Sequence, residues 1–170
     1  MKELQSLIRT IPDFPKKGIL FRDITPLLEN AVALKKVLDL FKLEVSSAVS
    51  KVVAIESRGF IFGGALAFAL GTGFVPVRKF GKLPGEKVKV EYSLEYGTDA
   101  LEIHRDAISK GEKVVLVDDL LATGGTAMAA CSLIEKAGGI VEKLLFLIEL
   151  DEMEGKDKLK NYDIFSLIHF

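Results

Sequence analysis

Two stretches of this chain limit its fold more than any others. Val52-Val53-Ala54-Ile55 and Val114-Val115-Leu116-Val117 are short, apolar and rich in β-branched residues, as expected of strands buried on both faces of a parallel sheet. Each breaks at once into polar or small residues and then a helical run. Glu56-Ser57-Arg58-Gly59 precedes the apolar stretch Gly59 to Leu70, and Asp118 to Gly125 precedes Thr126 to Ala137, which Gly138 and Gly139 end. Phe74-Val75-Pro76-Val77 reads as the strand after the first helix, making a strand, helix, strand crossover. Val141 to Leu150 is the strand after the second helix. Tyr162 to Phe170 reads as a last edge strand, with Asp151 to Lys160 as polar surface between them. This alternation predicts an α/β fold: a mostly parallel sheet flanked by helices, with ligands at the carboxyl ends of its strands.

At 170 residues the chain is expected to form a single domain, 1–170. Leu4, Leu7, Ile8 and Ile11 have helical spacing and predict a short helix, stopped by Pro12 and Pro15. Asp13 to Pro26 reads as irregular, and Leu34, Val37, Leu38, Phe41 and Val45 predict a helix over Ala31 to Ser46. Arg78 to Lys89 carries five cations against one anion, with Gly81, Pro84 and Gly85, and reads as a basic mobile loop. Across the whole chain 23 cations face 24 anions, so no overall field draws the protein to nucleic acid or to a membrane. One cysteine, Cys131, and two histidines, His104 and His169, exclude an internal disulfide and disfavour a Cys/His metal cage. All three read as structural. Met1 to Arg9 lacks the features of a secretory signal, so the cytoplasm is expected. The run Gly59 to Leu70 falls short of the roughly 18 residues of a membrane span.

The chemistry concentrates in Val114-Val115-Leu116-Val117-Asp118-Asp119-Leu120-Leu121-Ala122-Thr123-Gly124-Gly125-Thr126. A buried strand ends in two carboxylates, and a small-residue turn then opens a helix whose first amides and dipole favour an anion. Thr123 and Thr126 add hydroxyls, while Gly124 and Gly125 let the backbone come close. The Gly-Lys-Ser/Thr of a nucleoside-triphosphate loop and the spaced glycines of a dinucleotide fingerprint are both missing. Adjacent acids repel each other and a phosphate alike. A sugar hydroxyl pair, or Mg²⁺ between them and a diphosphate, removes that objection.

This segment resembles the signature of the type I phosphoribosyltransferases, and further segments resemble their adenine-using branch. They are Asp13 to Thr25, Glu56-Ser57-Arg58-Gly59-Phe60, Val77 to Gly85 and Glu91 to Asp99, in the same order. The resemblance implies the type I phosphoribosyltransferase fold, with residues 1–30 as a small N-terminal hood that binds the base and 78–96 as a flexible loop. It implies purine salvage: transfer of the 5-phosphoribosyl group from phosphoribosyl pyrophosphate to adenine, giving AMP and pyrophosphate. Another base, or a non-catalytic regulator that binds phosphoribosyl pyrophosphate, are the alternatives. Ala122 and Gly125 stand where hypoxanthine-guanine relatives carry Asp and Lys, which disfavours a 6-oxopurine.

By the same resemblance Asp118 and Asp119 hold the ribose hydroxyls, and Ala122, Thr123, Gly124, Gly125 and Thr126 the 5-phosphate. Leu20, Phe21, Arg22 and Arg58 take adenine, with Phe21 stacking on the ring. Ser57, Arg78, Lys79 and Lys82 take pyrophosphate, and Glu95 is the acid/base that exchanges a proton at N7. The Glu56-Ser57 peptide is expected to be cis. Mg²⁺ is expected to be bound mainly through substrate rather than by protein ligands, and a homodimer is expected.

Overall fold

The computed structural model describes residues 1–93 and 98–170. The chain runs α1 (Lys2–Ser6), β1 (Arg9–Pro12), β2 (Leu20–Asp23), α2 (Thr25–Glu29), α3 (Ala31–Leu43), β3 (Lys51–Ile55), α4 (Gly59–Leu70) and β4 (Gly73–Lys79). It continues with β5 (Lys87–Ser93), β6 (Thr98–His104), β7 (Lys113–Leu121), α5 (Gly125–Lys136) and β8 (Ile140–Glu149). Two 3-10 turns, Asp151–Met153 and Gly155–Leu159, then lead to β9 (Ile164–His169). Among the described residues no helix is long and apolar enough to cross a membrane.

Seven strands form one sheet in the order β5-β6-β4-β3-β7-β8-β9. From β4 to β9 every neighbouring pair is parallel. The β5–β6 hairpin adds to β4 antiparallel, pairing Arg78 with Glu102 and Lys79 with Leu101. Burial on both faces explains the unbroken apolar runs. Val52 and Ala54 of β3, with Val115 and Val117 of β7, face a core shared with α3 and α4. The alternate residues Val53, Ile55, Val114 and Leu116 face a second core with α5. Asn30 caps α3 by accepting from the amides of Val32 (3.1 Å) and Ala33 (3.0 Å).

Several elements differ from the sequence expectation. The first helix stops at Ser6, and Ile11 lies in β1 opposite Phe21 of β2, inside the segment read as irregular. Pairing between the two strands overrides the local helical spacing there. The helix read over Ala31 to Ser46 ends at Leu43. The basic stretch is loop only in part, since β4 continues through Lys79 and β5 starts at Lys87, which puts four of its five cations, Arg78, Lys79, Lys87 and Lys89, on strands. The stretch read as polar surface buries Gly155 and Leu159. Cys131 lies fully buried in the α5 core, where burial pushes its thiol up to about 12.

Candidate active site

A cavity of about 520 Å³ opens at the carboxyl ends of β3 and β7. One wall is β7 and the turn after it. The strand does not stop at Val117 but carries Asp118 and Asp119 within it, to Leu121. Asp119 is 6% exposed, and its Oδ2 lies 2.7 Å from Arg58 Nη2. That oxygen still accepts no hydrogen bond among the described residues, so Arg58 supplies charge without alignment. Asp118 Oδ1 accepts the Asp119 amide at 2.9 Å. Burial raises both carboxyls. The Asp119 charge raises Asp118 further, while Arg58 opposes the rise at Asp119 without cancelling it.

Ala122 to Thr126 line the cavity beyond these acids. Gly124 takes φ +75, a conformation that favours glycine, and α5 starts at the next residue. The first turn of α5 has no acidic residue, so its free amides and dipole face the cavity unopposed. An anion suits this end.

The facing wall follows β3, where the Glu56–Ser57 peptide is cis. Glu56 gathers the basic groups: its carboxylate accepts from Arg78 Nε (2.6 Å) and the Lys79 amide (2.8 Å), and lies 3.1 Å from Lys82 Nζ. Burial works to raise this carboxyl, but these partners outweigh it and leave it below the usual carboxylate range. Tyr92 and Asp99 of the hairpin complete the cavity, with the Tyr92 hydroxyl donating to Asp99 Oδ2 at 3.3 Å. A Cβ on Gly59 would lie 2.7 Å from Asp118 Oδ1, so glycine is what lets α4 approach the acid.

Ser57, Arg58, Lys79, Lys82, Asp118, Asp119 and the turn therefore meet in one cavity. Four expected site residues do not line it. Arg78 turns to Glu56 and lies 5.9 Å from the Phe60 ring centre. Arg22 points away, because successive side chains of a strand face opposite sides; it donates to Thr10 Oγ1 at 2.5 Å and stacks 3.9 Å from the Phe170 ring centre. Leu20 is exposed, and Phe21 lies edge-on to Phe14 at 5.1 Å. Phe21 reaches the site through Arg58, whose guanidinium lies 5.1 Å from its ring and donates to the Arg22 carbonyl at 3.4 Å. Arg58 thus joins the hood to the acid pair. Glu95 lies outside the described residues. Tyr92, Asp99 and the hub role of Glu56 are additions that the sequence reading did not assign, although all three fall within segments it singled out.

A family model for the phosphoribosyl transferase domain matches residues 27–169. An adenine phosphoribosyltransferase of Thermoanaerobacter sp. (strain X514) is 54% identical over 171 residues, covering 100% of this chain and 99% of that protein. The crystal structure of the enzyme of that name from Thermoanaerobacter pseudethanolicus superposes with a TM-score of 0.95 at 54% identity, covering 99% of each chain. That from Saccharomyces cerevisiae, complexed with an imino-altritol bisphosphate and adenine, gives 0.93 at 46% identity over 98% of this chain and 97% of its own.

Proposed function

Since the chain belongs to the phosphoribosyl transferase family, we propose that it transfers the 5-phosphoribosyl group from phosphoribosyl pyrophosphate to adenine, giving AMP and pyrophosphate in purine salvage. One observation carries this reading. The buried acid pair Asp118–Asp119 lies between an anion-binding turn and a cationic wall, in one cavity of about 520 Å³. That sequence of charges matches the 5-phosphate, ribose hydroxyls and diphosphate of the donor.

Asp118 and Asp119 accept hydrogen bonds from the ribose hydroxyls, and the turn Ala122 to Thr126 holds the 5-phosphate by its amides. Lys79 and Lys82 line the diphosphate side directly, and Arg78 reaches it by exchanging Glu56 for the leaving group. The bond from C1 to pyrophosphate loosens ahead of attack by N9, so positive charge develops on the ribose. The acids face that charge, and the cations neutralise the departing oxygens. Adenine lies on the Arg58 side against the hood, with Phe21 as its stacking face and the Leu20 backbone reading its edge. Glu95 exchanges the proton at N7; its sequence neighbours Tyr92 and Asp99 both line the cavity, which supports the assignment.

Mg²⁺ fits the site as a passenger on the donor. Among the described residues the one group of three ligand side chains close enough to hold an ion, Glu149, Asp151 and His169, does not line this cavity. A Mg²⁺ held chiefly by the donor and water would suit such a wall, and Asp118 or Asp119 would supply any carboxylate contact, since Glu56 is engaged by Arg78, Lys79 and Lys82. When bound it neutralises diphosphate charge.

The protein acts as a homodimer through α4. A helix apolar on every side is normally buried, yet Phe68 is 90% and Ile61 42% exposed. A second copy of the chain covers them. The cytoplasm is the compartment, which suits a buried free thiol at Cys131.

Incubation with Mg²⁺, phosphoribosyl pyrophosphate and each nucleobase in turn tests the reading. AMP from adenine, and little product from the other bases, is expected; product from another base instead, or none, overturns it. In the same assay Glu95→Ala lowers turnover far more than it raises KM for the donor.

A further inference from the structure

We propose that Gly155, 31 residues away in sequence from the phosphate turn at Gly124, is the positioning residue that aims that turn at the 5-phosphate. The inference rests on the assignment of Ala122 to Thr126 as the 5-phosphate site and extends it to a segment outside the cavity.

The 3-10 turn Gly155–Leu159 lies against the back of the phosphate turn. A Cβ built on Gly155 falls less than 3.0 Å from the Ala122 carbonyl oxygen and 3.0 Å from Leu121 Cδ1. Conversely, a Cβ built on Gly124 falls less than 3.0 Å from the Gly155 carbonyl oxygen and 3.3 Å from its Cα. Two backbones meet here with no side chain between them. The segment is pinned on both sides of the contact. Leu159 is fully buried in the α5 core, Lys156 Nζ lies 2.8 Å from the buried Glu149 carboxylate, and the Leu150 amide donates to the Leu121 carbonyl at 2.9 Å.

The contact has a stereochemical consequence. In a planar trans peptide the C=O and the following N–H point in opposite directions. The Ala122 carbonyl faces Gly155, so the Thr123 amide faces the cavity. Gly155 thereby sets the direction of a donor whose partner is an anion, where alignment matters most. Unlike Gly124, Gly155 does not have the positive φ that penalises other residues. A methyl group there acts by contact alone, pushing the Ala122–Thr123 peptide toward the cavity.

Gly155→Ala tests this, with ribose 5-phosphate and pyrophosphate titrated separately by calorimetry. Loss or misalignment of a charge-assisted hydrogen bond predicts ribose 5-phosphate affinity lower by about 10- to 100-fold, with pyrophosphate affinity within about twofold. Lys156→Ala loosens the same segment without adding a clash and shifts ribose 5-phosphate alone by a smaller factor; it decides the matter if Gly155→Ala does not fold. Equal loss of both ligands, or no loss of ribose 5-phosphate in a folded variant, overturns the proposal. If the unaltered protein binds pyrophosphate but not ribose 5-phosphate, the assignment of the turn falls instead.

Discussion

Burial raises the Asp118 carboxyl, and the neighbouring Asp119 charge raises it further. An acid whose folded pKa exceeds its unfolded value of 3.8 weakens the fold as pH rises between the two, and the loss is complete above the folded value. Asp118→Asn keeps the oxygen that accepts the Asp119 amide and removes the charge. We expect it to stabilise the protein by about 1 kcal/mol at about pH 7, to give no gain below about pH 3, where the unfolded carboxyl is itself protonated, and to lower turnover. Melting curves at both pH values check the sign; a less stable variant at neutral pH contradicts the repulsion. Glu56 behaves in the opposite way. Its carboxyl is held low by Arg78, Lys79 and Lys82 against the effect of burial, so it stabilises the fold above its unfolded value of 4.5 and ceases to as pH falls through the folded one.

The site depends on how closely α4 lies on β7. Gly59 opens that helix, and a methyl group there would sit 2.7 Å from Asp118 Oδ1 and 3.1 Å from the Val117 carbonyl. Gly59→Ala is expected to cost about 1 to 3 kcal/mol, as overpacking does, and to raise KM for the donor by displacing Asp118. Chemical denaturation and steady-state kinetics measure the two effects. This contact also marks how far the sequence could be read. The parallel strands and the helices α4 and α5 were legible because β-branched runs and helical periods are local signals. So was the gathering of Asp118, Asp119 and Ala122 to Thr126 at one place, because they lie in one continuous segment. The β1–β2 pairing was not, because Ile11 has helical spacing from Leu4 and only its cross-strand partner Phe21 makes it a strand residue. The apolar run alone ends the strand near Val117, because the charges of Asp118 and Asp119 mask the strand signal that continues to Leu121. The resemblance assigns Arg22 to the base, and only strand alternation sends its side chain to Phe170. Nothing local marks Gly155, whose role arises from a contact with the distant Gly124.

At the scale of the molecule, a net charge of −1 conceals a divided site. Lys79 and Lys82 stand across one cavity from Asp118 and Asp119, so attraction for the donor acts at short range. The apolar surface of α4 is the other large-scale feature. Phe68→Glu places a charge at a 90% exposed apolar position, where a monomer has nothing to lose. In the proposed dimer it would bury an unpaired charge, so dissociation to monomers in light scattering is expected; a variant that remains dimeric rules out α4 as the interface.

The stacking of Arg22 on Phe170 also fixes a schedule for the ribosome. Arg22 rests 3.9 Å from that ring centre, and Gln5 donates to the His169 carbonyl at 3.2 Å. Part of the hood's anchorage thus waits for the last strand, β9. A nascent chain that has emerged as far as Leu159 holds the acid pair, the phosphate turn and the segment behind it. It already holds the Arg58 contacts to Phe21 and to the Arg22 carbonyl, and β9 adds the second anchor.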